Sequence, residues 1–255
     1  MLNKNNKTKK THTMKQPHDN SAKYYDFVFE RRFGNMYNML TQNNLSKIRS
    51  LLLNGKILDF GAGTGRISIP LANSGYEVTA VDCSPEMLVE LNRKVQDQNL
   101  NIETHLTLTD IISKDFDLAI GIFTVLAYIK TQTELKALFQ NIYNTLKPGG
   151  LFMFDIEKRA GYDEIFRINN GIVHNKADDY VTVNFQDNDS NLCDYYEQVK
   201  GTLPNGEDFD YTESFVIKFW TINEVRSIFR QTGFTEIDKF TIYNADYFIL
   251  KRNLE

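Results

Sequence analysis

The chain has 255 residues, 42% of them hydrophobic and 24% charged, which suits one elaborated α/β domain with a substantial core. A net charge of −4 gives the body no general attraction for nucleic acid, and no apolar run approaches the roughly 18 residues of a membrane span. Two cysteines, Cys83 and Cys193, and four scattered histidines make neither a disulfide framework nor a metal-ligand spacing, so a reducing cytoplasm is the expected compartment.

Residues 1–20 read as a disordered basic tail. Lys4, Lys7, Lys9, Lys10 and Lys15 stand among Asn and Thr, with little there that can pack and no signal-peptide core. His12 and His18 fall inside it, while His105 and His174 stand alone. Over residues 36–53 apolar side chains recur at helical spacing (Met36, Met39, Leu40, Ile48, Leu51, Leu52) and stop at Asn54-Gly55. Lys56–Phe60 is a buried strand, followed by glycines and a helix to about Ser74, and Glu77–Val81 is a second strand. Ser84 caps a helix with Pro85 at its first position and Met87, Leu88, Leu91 and Val95 on its core face.

Residues 101–106 and Phe116–Gly121 are expected as the third and fourth strands. Thr131 and Glu134 form a capping box that opens a helix. Lys147-Pro148-Gly149-Gly150 is expected to stop it before a fifth strand at 151–154. Strands alternating with helices at this rhythm predict parallel βαβ units. Beyond Asp155 the pattern changes to alternating strands at 180–185, 193–202 and 211–220, joined by Asp/Asn-rich turns, which predicts an antiparallel insert. A second capping box, Thr221 with Glu224, opens a helix that Gly233 closes, and 235–243 with 246–251 finish as a hairpin.

The stretch that carries chemistry is Ile57-Leu58-Asp59-Phe60-Gly61-Ala62-Gly63-Thr64-Gly65-Arg66. A strand runs into three glycines and then a helix, so backbone can approach a ligand closely and helix N–H groups face it. A dinucleotide loop is the first competitor, but its third glycine falls one place early here and Arg66 stands where close helix packing wants glycine. Asp59, ending the strand, would repel a pyrophosphate and favour a cationic ligand such as S-adenosylmethionine (SAM). Asp82, ending the second strand, is placed to accept hydrogen bonds from ribose hydroxyls, a feature that fits NAD equally well when taken alone. Thr109-Asp110-Ile111 and the end of the fourth strand lie on the same carboxyl edge of the sheet.

Taken in order, these segments resemble the class I SAM-dependent methyltransferases. ILDFGAGTG is similar to the cofactor loop of that family, VTAVDCSPEML to its ribose strand, LTDI to its adenine turn and LKPGGLFMFDIE to its helix-to-fifth-strand junction. The resemblance covers about residues 20–155 and, less specifically, 221–252. It implies a Rossmann-like α/β fold with a seven-stranded, mostly parallel sheet, helices on both faces, and the antiparallel insert after the fifth strand. It implies a tail over 1–20, a helical lid over 21–55, a SAM-binding core over 56–160, a substrate-capping insert over 161–220, and a completing helix and hairpin over 221–255.

By the same resemblance, SAM would be the cofactor. Asp59, Gly61, Ala62 and Gly63 would hold its methionine part, Asp82 and Cys83 the ribose side, and Met87, Asp110 and Ile111 the adenine. Ile122 and Phe123 would border the transfer channel, and Tyr25 and Arg31 would reach the cofactor carboxylate from the lid. Plain structural readings stand beside these: Asp82 as a solvated strand end, Asp110 as a turn former, Met87 as core, Tyr128 as packing, Arg31 as a helix-face charge. In detail the layout is most similar to small-molecule N-methyltransferases acting on amino sugars or glycine-like amines. Tyr24-Tyr25-Asp26, the Phe123–Ile129 stretch and the insert carry that likeness.

Methyl transfer needs alignment more than a strong base, and Tyr128 is the candidate for orienting the acceptor, with His174 and Tyr180 behind it. Sugar-amine enzymes often have His near the place of Tyr128, so this chain departs from them there. No Asn/Asp-Pro-Pro-Tyr-like segment follows the fourth strand, which lowers the weight of nucleobase targets. The expected partner is a small acceptor, with no nucleic acid and no membrane, and a homodimer through the insert is compatible with the sequence. An RNA or protein methyltransferase and a SAM-binding subunit without activity stay open as other readings.

Overall fold

The computed structural model describes residues 15–160, 179–185 and 191–254, with side chains in the 179–185 strand described only at Val181. Lys4, Lys7, Lys9, Lys10, His12 and His174 lie outside the described residues, and so does the side chain of Tyr180. Two helices lead, α1 (Tyr25–Phe33) and α2 (Asn35–Leu51), separated by Gly34 at φ 50°. Then follow β1 (Lys56–Phe60), α3 (Ser68–Asn73), β2 (Glu77–Val81), α4 (Pro85–Asp97), β3 (Ile102–His105), β4 (Phe116–Gly121), α5 (Gln132–Thr145) and β5 (Leu146–Glu157). The insert contributes β6 (Asp179–Phe185), β7 (Leu192–Thr202) and β8 (Asp208–Lys218); α6 (Ile222–Arg230), β9 (Phe234–Ile242) and β10 (Ala245–Arg252) complete the chain.

The main sheet has seven strands in the order β3-β2-β1-β4-β5-β10-β9, and the insert is a separate antiparallel sheet, β6-β7-β8. β1 to β5 are parallel to one another, and β10 runs antiparallel to both β5 and β9. This is the expected Rossmann-like architecture. Alternation along the central strands sends residues to opposite faces. Ile57, Leu118, Ile120 and Met153 pack under α2, α3 and α4, through Leu45, Ile48, Leu71 and Leu91. Leu58, Ala119, Phe152 and Phe154 pack on the other face under α5 and α6, through Leu138, Phe139, Ile142 and Phe229.

Both capping boxes form as the sequence predicts, and Ser84 accepts the Met87 N–H at the start of α4. Several boundaries differ, β8 for example starting at Asp208 and β5 ending at Glu157. β5 begins at Leu146, not after the glycines: Phe116 pairs with Leu146 and Leu118 with Leu151, so the Lys147–Gly150 run is an irregularity within the strand. β8 ends at Lys218, because Phe219 and Trp220 turn inward and are buried. The expected tail is ordered from Lys15 onward. Its polar residues find partners far along the chain: the Asn20 and Ser21 N–H groups both donate to Glu213, and Ser84 Oγ donates to Asp19.

A candidate SAM and acceptor site

β1 and β2 bring the glycine loop and Asp82 together. Gly61 and Ala62 donate their N–H groups to the Val81 carbonyl, which folds the loop across the end of β2. The Gly63 N–H donates to one Asp82 oxygen at 2.8 Å, and the Ser84 N–H donates to the other at 2.9 Å. Asp82 is therefore oriented by backbone on both sides, and burial, opposed by those two bonds, raises its carboxyl from the usual range.

The glycines serve different ends. A Cβ at Gly61 would strike Val125, and one at Gly65 would strike Ile69 and Leu91, so both positions are closed by packing. Gly63, at φ +54°, faces open space. A ligand laid against bare backbone has room there.

Asp59 is 3% exposed and accepts from Ser68 Oγ at 2.5 Å. Burial pushes its carboxyl up to about 7, with Asp82 adding repulsion. Asp155, at the end of β5 on the same face of the sheet, is also buried and is pushed up to about 7. It accepts the N–H groups of Phe123 and Thr124, each at 3.2 Å. Those two residues have φ of 67° and 66°, a left-handed pair outside glycine that costs on the order of 1–2 kcal/mol per residue. The Asp155 carboxylate compensates for the strain and fixes the turn after β4. Burial and then Asp155 raise Glu157 to about 8. Carboxyl groups held this way favour an incoming cation.

Arg66 lies between two rings, its guanidinium carbon 3.6 Å from the centroids of both Tyr37 and Phe123. It also donates to Thr41 Oγ1 and to the Tyr37 carbonyl, which ties α2 to the turn carrying Phe123. α1 is fastened to the glycine loop as well, because Asp26 accepts from Thr64 Oγ1 at 2.6 Å and pairs with Lys94.

Tyr128 sits in the short 3-10 turn Val125–Tyr128, held from behind by Trp220, whose indole N–H donates to the Leu126 and Ile129 carbonyls at 3.0 Å each. In front of it stands His18, with Nε2 2.6 Å from the Tyr128 hydroxyl. The insert closes over both: Phe215 of β8 makes edge contacts with His18 and Tyr128. The N-terminal segment is clamped to the insert by Arg32 on Glu197 at 3.0 Å and by Glu213 on the backbone of Asn20 and Ser21.

Of the residues the sequence singles out, the structure gathers Asp59, Gly61, Ala62, Gly63, Asp82, Ile122, Phe123 and Tyr128 along the carboxyl edge of the sheet. Met87 is buried on α4, Cys83 is exposed beside Asp82, Ile111 is half-buried and Asp110 is exposed. Tyr25 stacks on Phe29 and meets the His18 ring edge-on. Arg31, expected to reach the cofactor carboxylate, faces the insert among its described contacts. It lies over Phe27 and Phe209, and its Nη1 reaches Gly201 of the insert, where only a glycine leaves it space. His18, Asp155 and the sandwiched position of Arg66 were not foreseen. Arg66 alone left a signal, an arginine where a dinucleotide loop wants glycine.

Residues 57–150 match the methyltransferase domain family. That segment is a methyltransferase domain, and the fold around it is that of the SAM-dependent methyltransferases. It is 28% identical over 188 residues to the putative methyltransferase YqeM of Bacillus subtilis, covering 72% of this chain and 75% of that protein. A SAM-dependent methyltransferase of Clostridium acetobutylicum superposes with a TM-score of 0.75 at 20% identity, covering 92% of this chain and all of that one. The sugar N-methyltransferase KedS8 of a Streptoalloteichus species superposes at 0.67 with 14% identity, over 90% and 92% of the two chains. The residues present fit SAM: an open cradle at Gly63, a backbone-oriented Asp82 and a buried Asp59 that a cation would ionise. Among the described residues no helix is long and apolar enough to cross a membrane.

Proposed function

We propose that the chain methylates a small molecule at an amine or hydroxyl group, in the cytoplasm, with the acceptor held between Tyr128 and the insert sheet. The observation that carries this reading is the closure of the carboxyl edge by two elements at once. The N-terminal segment crosses Tyr128 through His18, and the insert locks that segment in place through Glu197 and Glu213. A site roofed in this way suits a small acceptor better than a nucleic acid strand or a protein surface.

SAM supplies the methyl group for an in-line displacement, and the task of the protein is alignment and exclusion of water. Asp82 and Cys83 take the ribose side, Gly61, Ala62 and Gly63 the methionine side, and Asp59 attracts the ammonium. Met87, Asp110 and Ile111 bound the adenine, Ile122 and Phe123 border the channel, and Tyr25 covers it. Burial raises Asp155 to about 7 and Glu157 to about 8, so a cation arriving beside them ionises them, which favours an amine that arrives as an ammonium and must shed its proton before reacting. KedS8, by its name an N-methyltransferase acting on a sugar, has the same fold.

The test is formation of S-adenosylhomocysteine (SAH) by the full chain with SAM and panels of small amines, small alcohols, total RNA and unfolded protein. Turnover confined to the small-molecule panels supports the reading. Salt-sensitive turnover of RNA, turnover of protein, or SAH binding without turnover on any panel would replace it with another function.

A further inference from the structure

The His18–Tyr128 contact joins residues 110 positions apart, and its direction follows from the rest of the ring. His18 Nδ1 lies 3.4 Å from Ser21 Oγ, and that hydroxyl donates its proton to the His18 carbonyl at 3.3 Å. With the Ser21 proton so engaged, the ring proton belongs on Nδ1, where Ser21 Oγ can accept it. Nε2 is then bare, and the Tyr128 hydroxyl donates to it. Burial supports the neutral ring, holding His18 down at about 4 against the pull of Glu197 and Asp19. Edge contacts from Tyr25, Tyr128 and Phe215, with ring centroids 5.1–5.6 Å away, fix its orientation. A tyrosine oxygen whose one proton is committed to His18 enters any further hydrogen bond only as an acceptor.

We propose that His18 is a positioning residue that makes Tyr128 an acceptor-only group, so that the site takes amines bearing an N–H and refuses a tertiary amine. The inference rests on the acceptor site read above. A primary or secondary amine donates its N–H to Tyr128 Oη, which turns its lone pair away from the tyrosine and toward the methyl carbon. The N–C bond forms as the S–C bond breaks, with the electron pair staying on sulfur, and the ammonium product gives its proton to water after release. A tertiary amine has no N–H to offer. Methylation therefore ends at the tertiary amine, and no quaternary ammonium forms.

Two measurements on the full chain test this. In the first, the His18 ring nitrogens of the ¹⁵N-labelled protein are followed by NMR from pH 5.5 to 8 with SAH bound. The expected result is a neutral ring protonated on Nδ1, with the Nε2 resonance moving in Tyr128→Phe. A ring protonated on Nε2, or one indifferent to Tyr128→Phe, overturns the proposal. In the second, turnover is compared across glycine, sarcosine and dimethylglycine, and across methylamine, dimethylamine and trimethylamine. Primary and secondary members react and tertiary ones do not.

His18→Ala lowers kcat at least tenfold with unchanged SAH affinity, and His18→Gln, whose amide oxygen can replace Nε2 as acceptor, recovers part of it. A purely structural role would lower SAH affinity in both variants and give no recovery. Equal turnover of tertiary amines defeats the proposal while leaving the small-acceptor reading intact. If no amine reacts although NMR shows the pair formed, the small-amine reading fails and the proposal with it.

Discussion

Gly63 and Asp82 show how one contact can carry two roles. The Gly63 N–H orients Asp82, while the missing Cβ leaves open space over the loop. Gly63→Ala puts a methyl into that space and forces a side chain to φ +54°, a strain of about 1 kcal/mol. The expected outcome is a small loss of melting temperature with at least a tenfold loss of SAH affinity by calorimetry. Unchanged affinity would remove Gly63 from the cofactor surface. At this scale the sequence was legible wherever one local segment holds all the partners. Asp59, the glycines and Asp82 stand within 24 consecutive residues, and their spacing reveals them. His18 was not legible, because its partner lies in another element and its own neighbours are polar residues that read as tail. Asp155 was hidden for a related reason: its role is to hold the strained turn at Phe123 and Thr124, which no pattern within β5 announces.

Among the elements, the insert was foreseen as three alternating strands, but its purpose lies in a pairing that only register reveals. Glu197 and Glu213 stand directly opposite each other on β7 and β8, both buried on the face that meets the N-terminal segment. Like charges so placed destabilise a sheet unless each is compensated. Arg32 and the Tyr195 hydroxyl compensate Glu197, and two backbone N–H groups compensate Glu213. The insert thus favours the segment lying across it, and burial raises Glu213 above the usual carboxyl range. Arg32→Met leaves Glu197 buried without its cation and costs about 3 kcal/mol or more by urea unfolding. Glu213→Gln, which keeps an oxygen for the two N–H groups and removes the repulsion, changes stability by less than about 1 kcal/mol. Equal costs for the two variants would contradict this division of roles. Trp220 links the same insert to the turn bearing Tyr128. Trp220→Phe frees two carbonyls behind that turn and lowers kcat with SAH affinity preserved, as steady-state kinetics beside calorimetry would show. Element boundaries at 146, 218 and 15 were missed because pairing partners and tertiary hydrogen bonds, rather than local turn residues, decide them.

For the whole molecule, two apolar layers on either side of the sheet carry the stability, which lets the carboxyl edge hold groups that oppose folding. Asp59 and Asp155 are such groups, each raised to about 7 by burial. The sign follows from linkage. Between an unfolded value near 4 and a folded value near 7, the native state binds more protons than the unfolded chain, so stability falls as pH rises through that window and levels off above it. Asp59→Asn keeps an oxygen for Ser68 and removes the titration, while Asp155 contributes equally to both proteins and cancels. In urea titrations without cofactor, the variant should gain on the parent by on the order of 2 kcal/mol between pH 5 and pH 7.5. A gap that stays constant over that range would mean that Asp59 titrates normally in the folded state. Binding should reverse the preference. An ammonium brought beside Asp59 ionises it, so near pH 6.5 the parent releases a proton on taking SAH, detectable by calorimetry in buffers of different ionisation enthalpy. The asparagine variant should bind at least tenfold more weakly and release none, because the carboxyl that costs the empty protein stability at neutral pH is the group the ligand needs.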